Sequence, residues 1–303
     1  MSSVTQILYP ETRRSLEKGI RQKRFGTFQA AQRRLLTLEE AARREGGAPL
    51  ISHRIWITSS DAPHEVPDEF LKKYFQSLER QEGEWRHFFW CVDPERIAET
   101  IKKLQTSPRK IEVHRLSEIF PGMKGKFIFD FYMAHSLWAL AKDIASYNIV
   151  FQMGGLYSDI GLELRENMSP YLRAFDNIFA NNQFYPDMSF FALRQKDSAF
   201  ALYLNYLEEL KTRIPNDHHG WHLDRALDLH GAGGLIYFVD TLMPRDTALL
   251  LVPDESLFKR NGTGSWKGKE GNFGSLGVAN PMFQKTNFFK WRPQESEGPR
   301  WWD

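Results

Sequence analysis

Apolar residues in the middle of the chain recur in two alternating rhythms. Leu50 to Ile57 reads as a strand. Pro67 to Arg80 reads as a helix that opens on a proline, with Phe70, Leu71, Tyr74, Phe75 and Leu78 along one face. His87 to Val92 is a second strand, closed by Asp93-Pro94. Arg96 to Leu104 is helical, and Lys110 to His114 is a third short strand. One long apolar helix is predicted over Asp130 to Phe151, and Leu156 to Ser158 lies at the end of another strand. Strands separated by helices predict an α/β fold with a mostly parallel sheet. In such sheets ligands sit beyond the carboxyl ends of the strands, where the strand order switches.

Residues 1–46 have a different texture. Ten basic residues (Arg13, Arg14, Lys18, Arg21, Lys23, Arg24, Arg33, Arg34, Arg43 and Arg44) face five acids there, a balance of +5. Leu35, Leu36, Leu38, Ala41 and Ala42 recur at helical spacing, which predicts one or two helices. Such a basic arm suits an anionic membrane surface or a partner, so peripheral membrane contact is one reading. A solvated helix packed on the main domain is the plainer one. Gly46-Gly47-Ala48-Pro49 breaks the pattern. The expected organisation is a basic helical extension over 1–48 and one domain over 49–303.

Composition narrows the classes. The net charge of +2 gives no case for nucleic-acid binding. Cys91 is the sole cysteine, which excludes an intrachain disulfide and a cysteine-built zinc site. No apolar run approaches the roughly 18 residues of a membrane span, and Met1 to Thr5 lacks a signal-peptide pattern. The expectation is a cytoplasmic protein, or one exported into a host cell by a route that needs no signal peptide. Aromatics make up 14% of the chain, including nine Trp, which suits sugars and bases as well as a filled core.

The densest chemistry lies between Ala141 and Asp159. A helix carries Asp143 and Tyr147 four residues apart, on one face. Gly154-Gly155 ends it, allowing left-handed backbone and close approach. A short strand then delivers Tyr157 and Asp159 to one side, with Leu156 and Ser158 on the other. Two acids are thus aimed from two directions at one sheet edge. A diphosphate sugar needs carboxylates for its hydroxyls and positive charge for its phosphates.

This segment resembles the DXD sugar-binding region shared by fungal initiating mannosyltransferases, sphingolipid sugar transferases and large bacterial glucosylating cytotoxins. Their pattern runs Ala-Ser-Asp-Ile-x-Arg-Tyr-x-x-Leu-x-x-x-Gly-Gly-x-Tyr-x-Asp-x-Asp. Asp143, Tyr147, Gly154, Gly155, Tyr157 and Asp159 fall on it in register. Ser52-His53-Arg54-Ile55-Trp56-Ile57 resembles the family's first strand, and Asn261-Gly262-Thr263-Gly264-Ser265-Trp266 its C-terminal lid. Asp187 to Ala192 and His230 to Leu235 are weaker matches. The resemblance implies a GT-A, Rossmann-like glycosyltransferase domain with inserted helices. It further implies that Ile55 and Trp56 line the nucleotide base, with Trp56 stacking. Tyr147, Gly155 and Tyr157 would frame the base and ribose, and Asp143 would bind sugar hydroxyls. Asp159 would contact ribose and the metal shell. Ser265 and Trp266 would close over the diphosphate and exclude water.

Two positions depart from the pattern. The second acid of DXD is Gly161, where relatives place a carboxylate on a divalent cation, Mn²⁺ or Mg²⁺. The remaining candidate ligands are Asp159, Asn261 and the donor phosphates, with Glu163 as a more distant stand-in if the strand continues. The helix Arg expected three residues after Asp143 is Ser146, and Lys142, Lys267 and Lys269 are candidates for its charge. The site is therefore a DXG variant.

Other clusters weigh less. His218, His219 and His222 sit in a Gly- and Pro-bounded loop, where exposed histidines are the plain alternative to a metal site. Gly231 to Gly234 lacks the Gly-Lys-Ser/Thr of a phosphate loop. Asp93 is either a ligand contact at a strand end or a helix cap. The resemblance implies retaining transfer of glucose or N-acetylglucosamine from a UDP-sugar, with GDP-mannose as the other donor. A host protein, as for a bacterial effector or toxin, is expected as acceptor ahead of a lipid or glycan. The competing reading is a degenerate module that binds a sugar nucleotide or a protein without turnover.

Overall fold

The computed structural model describes residues 47–59, 61–182 and 185–209, with residues 231, 234–235, 238, 242–243, 247, 249–253 and 258–259. The predicted basic arm over 1–46, the histidine cluster, the lid and the C-terminal tail lie outside these residues.

Three parallel strands come first: β1 (Ile51–Trp56), β2 (Arg86–Cys91) and β3 (Ile111–Arg115). They are linked by α1 (Asp68–Glu79), which starts on Pro67, and by α2 (Ala98–Gln105). The chain then crosses the sheet through α3 (Lys126–Ala134) and α4 (Trp138–Met153) and returns as β4 (Gly155–Ser158). The short β5 (Glu163–Leu164) and α5 (Ser169–Ala174) lead into an antiparallel hairpin of β6 (Asn177–Asn182) and β7 (Tyr185–Leu193). α6 (Ser198–Glu209), β8 (Leu249–Pro253) and β9 (Phe258–Lys259) complete the described elements. The seven-stranded sheet runs β3-β2-β1-β4-β7-β6-β8, and β5 pairs with β9 apart from it. β4 lies parallel to β1 on the side away from β2. The strand order therefore reverses between β1 and β4, which places the switch point there.

Both sheet faces are covered, so the strands bury side chains in both directions. Phe88 and Trp90 join Ile55, Tyr157 and Phe191 under α3, α4 and α6. Phe89 and Cys91 join Trp56 against Phe70, Leu71, Tyr74 and Leu78 of α1. This two-faced burial is why β2 reads as an unbroken apolar run.

One element differs from expectation. The helix predicted over 130–151 is two helices, broken at His135 to Leu137, where Ser136 adopts φ 58°. The apolar pattern runs through the break because both helices lie on the same core. No Gly or Pro marks the turn. Leu137 N–H reaches back to the Tyr132 carbonyl at 2.8 Å instead.

The Gly154-Gly155 pair has a packing cause. Gly155 has φ 95°, and a Cβ there would lie 2.3 Å from the Ile51 carbonyl oxygen. The close approach is of β4 to β1. Gly155→Ala should cost about 3 kcal/mol and lower Tm by roughly 6–12 °C. A melt within 2 °C of wild type, on a scale of about 1 kcal/mol, would refute the constraint.

Buried His53 pins the same junction. Its Nε2 donates to the Gly154 carbonyl at 2.8 Å, and its Nδ1 accepts from the Trp90 indole at 3.3 Å. Both nitrogens are satisfied only in the neutral ring. Burial lowers its pKa to about 4, against the carbonyl bond, which favours the charge. The unfolded chain, with a histidine pKa near 6.5, binds the proton first. Stability is therefore intact above pH ~6.5 and falls toward pH ~4, by about 3 kcal/mol for this group. Denaturant midpoints across that range should show the loss, and a His53→Gln variant should show less of it.

Candidate functional site

β4 ends at Ser158, and Asp159 follows at the carboxyl end of the sheet. Its backbone is held on three sides. The Asp159 N–H donates to the Ser189 carbonyl at 2.8 Å, and its carbonyl accepts from Leu162 N–H at 2.9 Å. That carbonyl also accepts from Nη1 of Arg54, a side chain only 1% exposed, whose guanidinium lies 5.1 Å from the Tyr74 ring centre. Burial lowers the Arg54 pKa to about 10, with Tyr74, Tyr157 and Asp159 working the other way. It remains charged at neutral pH.

The side chains meet in front of this backbone. Lys142 Nζ donates to Asp159 Oδ1 at 2.5 Å and lies 3.4 Å from Asp143 Oδ1. The Tyr157 hydroxyl donates to the same Asp159 oxygen at 2.6 Å. Asp143 is buried, while the Asp159 side chain is 35% exposed and forms the open edge. Burial disfavours the charge on Lys142, but the two carboxylates outweigh it and hold its pKa well above the ordinary lysine value. Burial and the Asp159 charge likewise raise the Tyr157 pKa, so its hydroxyl stays a donor.

The structure brings Asp143, Tyr157 and Asp159 together. It places the other expected residues deeper. Trp56 is buried against α1, and its indole N–H donates to the His64 carbonyl at 2.7 Å. Ile55 lies in the opposite core with Tyr147, whose ring packs among Phe191, Phe200 and Tyr203. Gly155 faces β1, as described above. Ser146 is fully buried, and its hydroxyl returns to the Asp143 carbonyl. Asp93 caps the turn at Pro94–Ile97 and pairs with Arg115. Ser265, Trp266, Asn261, Lys267 and Lys269 lie outside the described residues. Leu235, in the glycine-rich match, is buried in the main core.

The strand does not continue past Asp159. The chain turns, and Glu163 enters the separate β5–β9 pair, where its Oε1 accepts from Arg80 at 2.7 Å. It does not replace an acid at 161. A Cβ on Gly161 would start 3.3 Å from the Phe70 ring, so an acid there is opposed by α1. Among the described residues no group of three His, Cys, Asp or Glu is set to hold a metal ion. The described residues thus lack the second carboxylate of a DXD-type cation site, which is Gly161 here. Arg54 lies within the segment matched to the family's first strand, but at a position the pattern leaves open; its own sequence signal is a charge inside a strand.

A solved structure described as PaToxG Glycosyltransferase carries the same architecture, matching with a TM-score of 0.53 and 13% identity, over 75% of this chain and 76% of that one. This chain has the GT-A fold. The UDP-bound glycosyltransferase domain of the YGT toxin matches at 0.47 and 10%, over 71% and 81%. Mouse xyloside xylosyltransferase 1, apo form, matches at 0.38 and 12%, over 67% and 85%. No family model matches the chain, and no curated protein matches it in sequence. In this fold Asp159 follows β4 beside the switch point of the sheet, and Lys142 links it to Asp143.

The steric reading of Gly161 is open to measurement. Gly161→Asp should destabilise by about 1–3 kcal/mol through overpacking. In a denaturation cycle with Phe70→Ala, the pair should couple favourably by about 1–2 kcal/mol. Strict additivity would show that the ring is not the obstacle.

Proposed function

We propose that this chain is a retaining glycosyltransferase that moves a hexose from a UDP-sugar to an acceptor hydroxyl. The observation that carries the reading is the meeting of Asp143 and Asp159 at the β1–β4 switch point of a GT-A sheet. The motif match supports the sugar nucleotide as ligand. Asp159 Oδ1 is taken by Lys142 and Tyr157, which leaves Oδ2 for a ribose or sugar hydroxyl. Asp143, tucked behind it, suits the hydroxyls of the hexose. Fixed carboxylates at that depth orient the donor rather than attack it. In this reading the leaving phosphate helps take the acceptor proton on the same face, so no residue is assigned as base. UDP-glucose or UDP-N-acetylglucosamine is the proposed donor and a protein the proposed acceptor.

One observation favours a second reading. The thinned centre at Gly161, where a Cβ would lie 3.3 Å from the Phe70 ring, suits a module that binds a nucleotide sugar without turning it over.

Incubation with UDP-glucose, UDP-N-acetylglucosamine and GDP-mannose, with lysate as acceptor, separates the two. Transfer predicts release of free nucleotide, and binding without release in every condition would leave only the module. Asp159→Asn removes the charge and keeps the side-chain shape, so it should lower turnover at least ~100-fold, about 2.7 kcal/mol of barrier, in a protein that still folds. Wild-type rates in that variant would remove Asp159 from the mechanism.

A further inference from the structure

The resemblance implies a divalent cation, yet the described site already contains a positive charge of its own. A divalent ion needs hard oxygen ligands with lone pairs to give. Position 161 offers none, and a Cβ there would already lie 3.3 Å from the Phe70 ring. Glu163 is held by Arg80. Oδ1 of Asp159 already accepts from both Lys142 and Tyr157, so an ion on that oxygen would face the lysine ammonium directly. The pattern that relatives share has a serine before the first aspartate, and here that position is Lys142. Its Nζ lies between the two acids, 2.5 Å from Asp159 and 3.4 Å from Asp143.

Asp143, Asp159 and Lys142 together carry −1. Relative to the pattern, this chain lacks the acid at 161 and the helix Arg at 146 and carries a lysine at 142. An ammonium carries three N–H donors; Lys142 Nζ donates to Asp159 and lies 3.4 Å from Asp143 Oδ1. The Lys142 side chain is 20% exposed and its Nζ contacts Asp159, which forms the open edge of the site.

We propose that Lys142 takes the place of the divalent cation beside the donor diphosphate, so that nucleotide binding by this chain needs no metal ion. The inference rests on the donor-site reading above. A lysine on a helix cannot be removed by a chelator, and it is a point charge suited to phosphate. Asp143 and Asp159 hold it in place before the nucleotide arrives.

Calorimetric titration of the full chain with UDP, and in parallel with GDP, tests this in Mn²⁺ and in EDTA. The expected result is a Kd that changes by less than about threefold on chelation. Lys142→Met should weaken binding at least about tenfold in EDTA, and Lys142→Arg should recover part of the loss. Melting curves of each variant separate lost binding from lost folding. Binding that appears only with Mn²⁺, or tightens more than about tenfold with it, would overturn the inference and leave the donor site standing. So would a folded Lys142→Met that binds like wild type in EDTA. No binding of either nucleotide in either buffer would remove the donor site and this inference together.

Discussion

Everything at the candidate site depends on the reversal of the chain at Gly154 and Gly155. From Asp143 the helix α4 descends ten residues to Met153, about 15 Å at 1.5 Å per residue. From Gly155 the strand climbs four residues to Asp159, about 13 Å at 3.3 Å per residue. The two lengths nearly cancel. Residues sixteen apart in sequence therefore finish side by side at the same end of the sheet. The reversal is tight because the Gly154 Cα has Pro49 and the Gln195 N–H on one side, and Gly155 lies against Ile51. The neutral ring of His53 binds the Gly154 carbonyl and locks the turn.

That geometry creates an electrostatic demand which the surroundings meet. Two carboxylates on one sheet edge repel unless a cation lies between them. Lys142 provides it from the same helix as Asp143. Arg54, buried beneath, supplies a second positive group aimed at the Asp159 backbone rather than its carboxylate. Lys142, Tyr157 and Arg54 thus hold Asp159 from within the chain. The arrangement also explains why Glu163 is not recruited. Its own cation, Arg80, holds it on the far side of the turn.

Much of the fold was legible along the chain. The strands around His53, Phe89 and Val113 and the helix from Pro67 follow from local periodicity, because each buries its own pattern of side chains. Asp143 and Asp159 were legible from their spacing around the glycine pair. The break at Ser136 was not, since its left-handed residue is neither Gly nor Asn and both flanking helices share one apolar surface. The antiparallel hairpin β6–β7, inserted between β4 and β8, was not legible either. Its partners are chosen by which sheet edge remains unpaired, a property of the assembled layers.

By itself the sequence determined the elements, the acids and the missing acid at 161, because these depend on residue identity and short-range spacing. Tertiary structure decided what surrounds them. The glycines make room for β1, and Trp56 faces α1 with its indole already bonded. A Cβ at 161 would lie 3.3 Å from the Phe70 ring of α1. Lys142 became the partner of Asp159 only when helix and strand came to rest side by side. Contacts between residues far apart in the chain depend on packing distance and on which face is left open, and no local pattern encodes either.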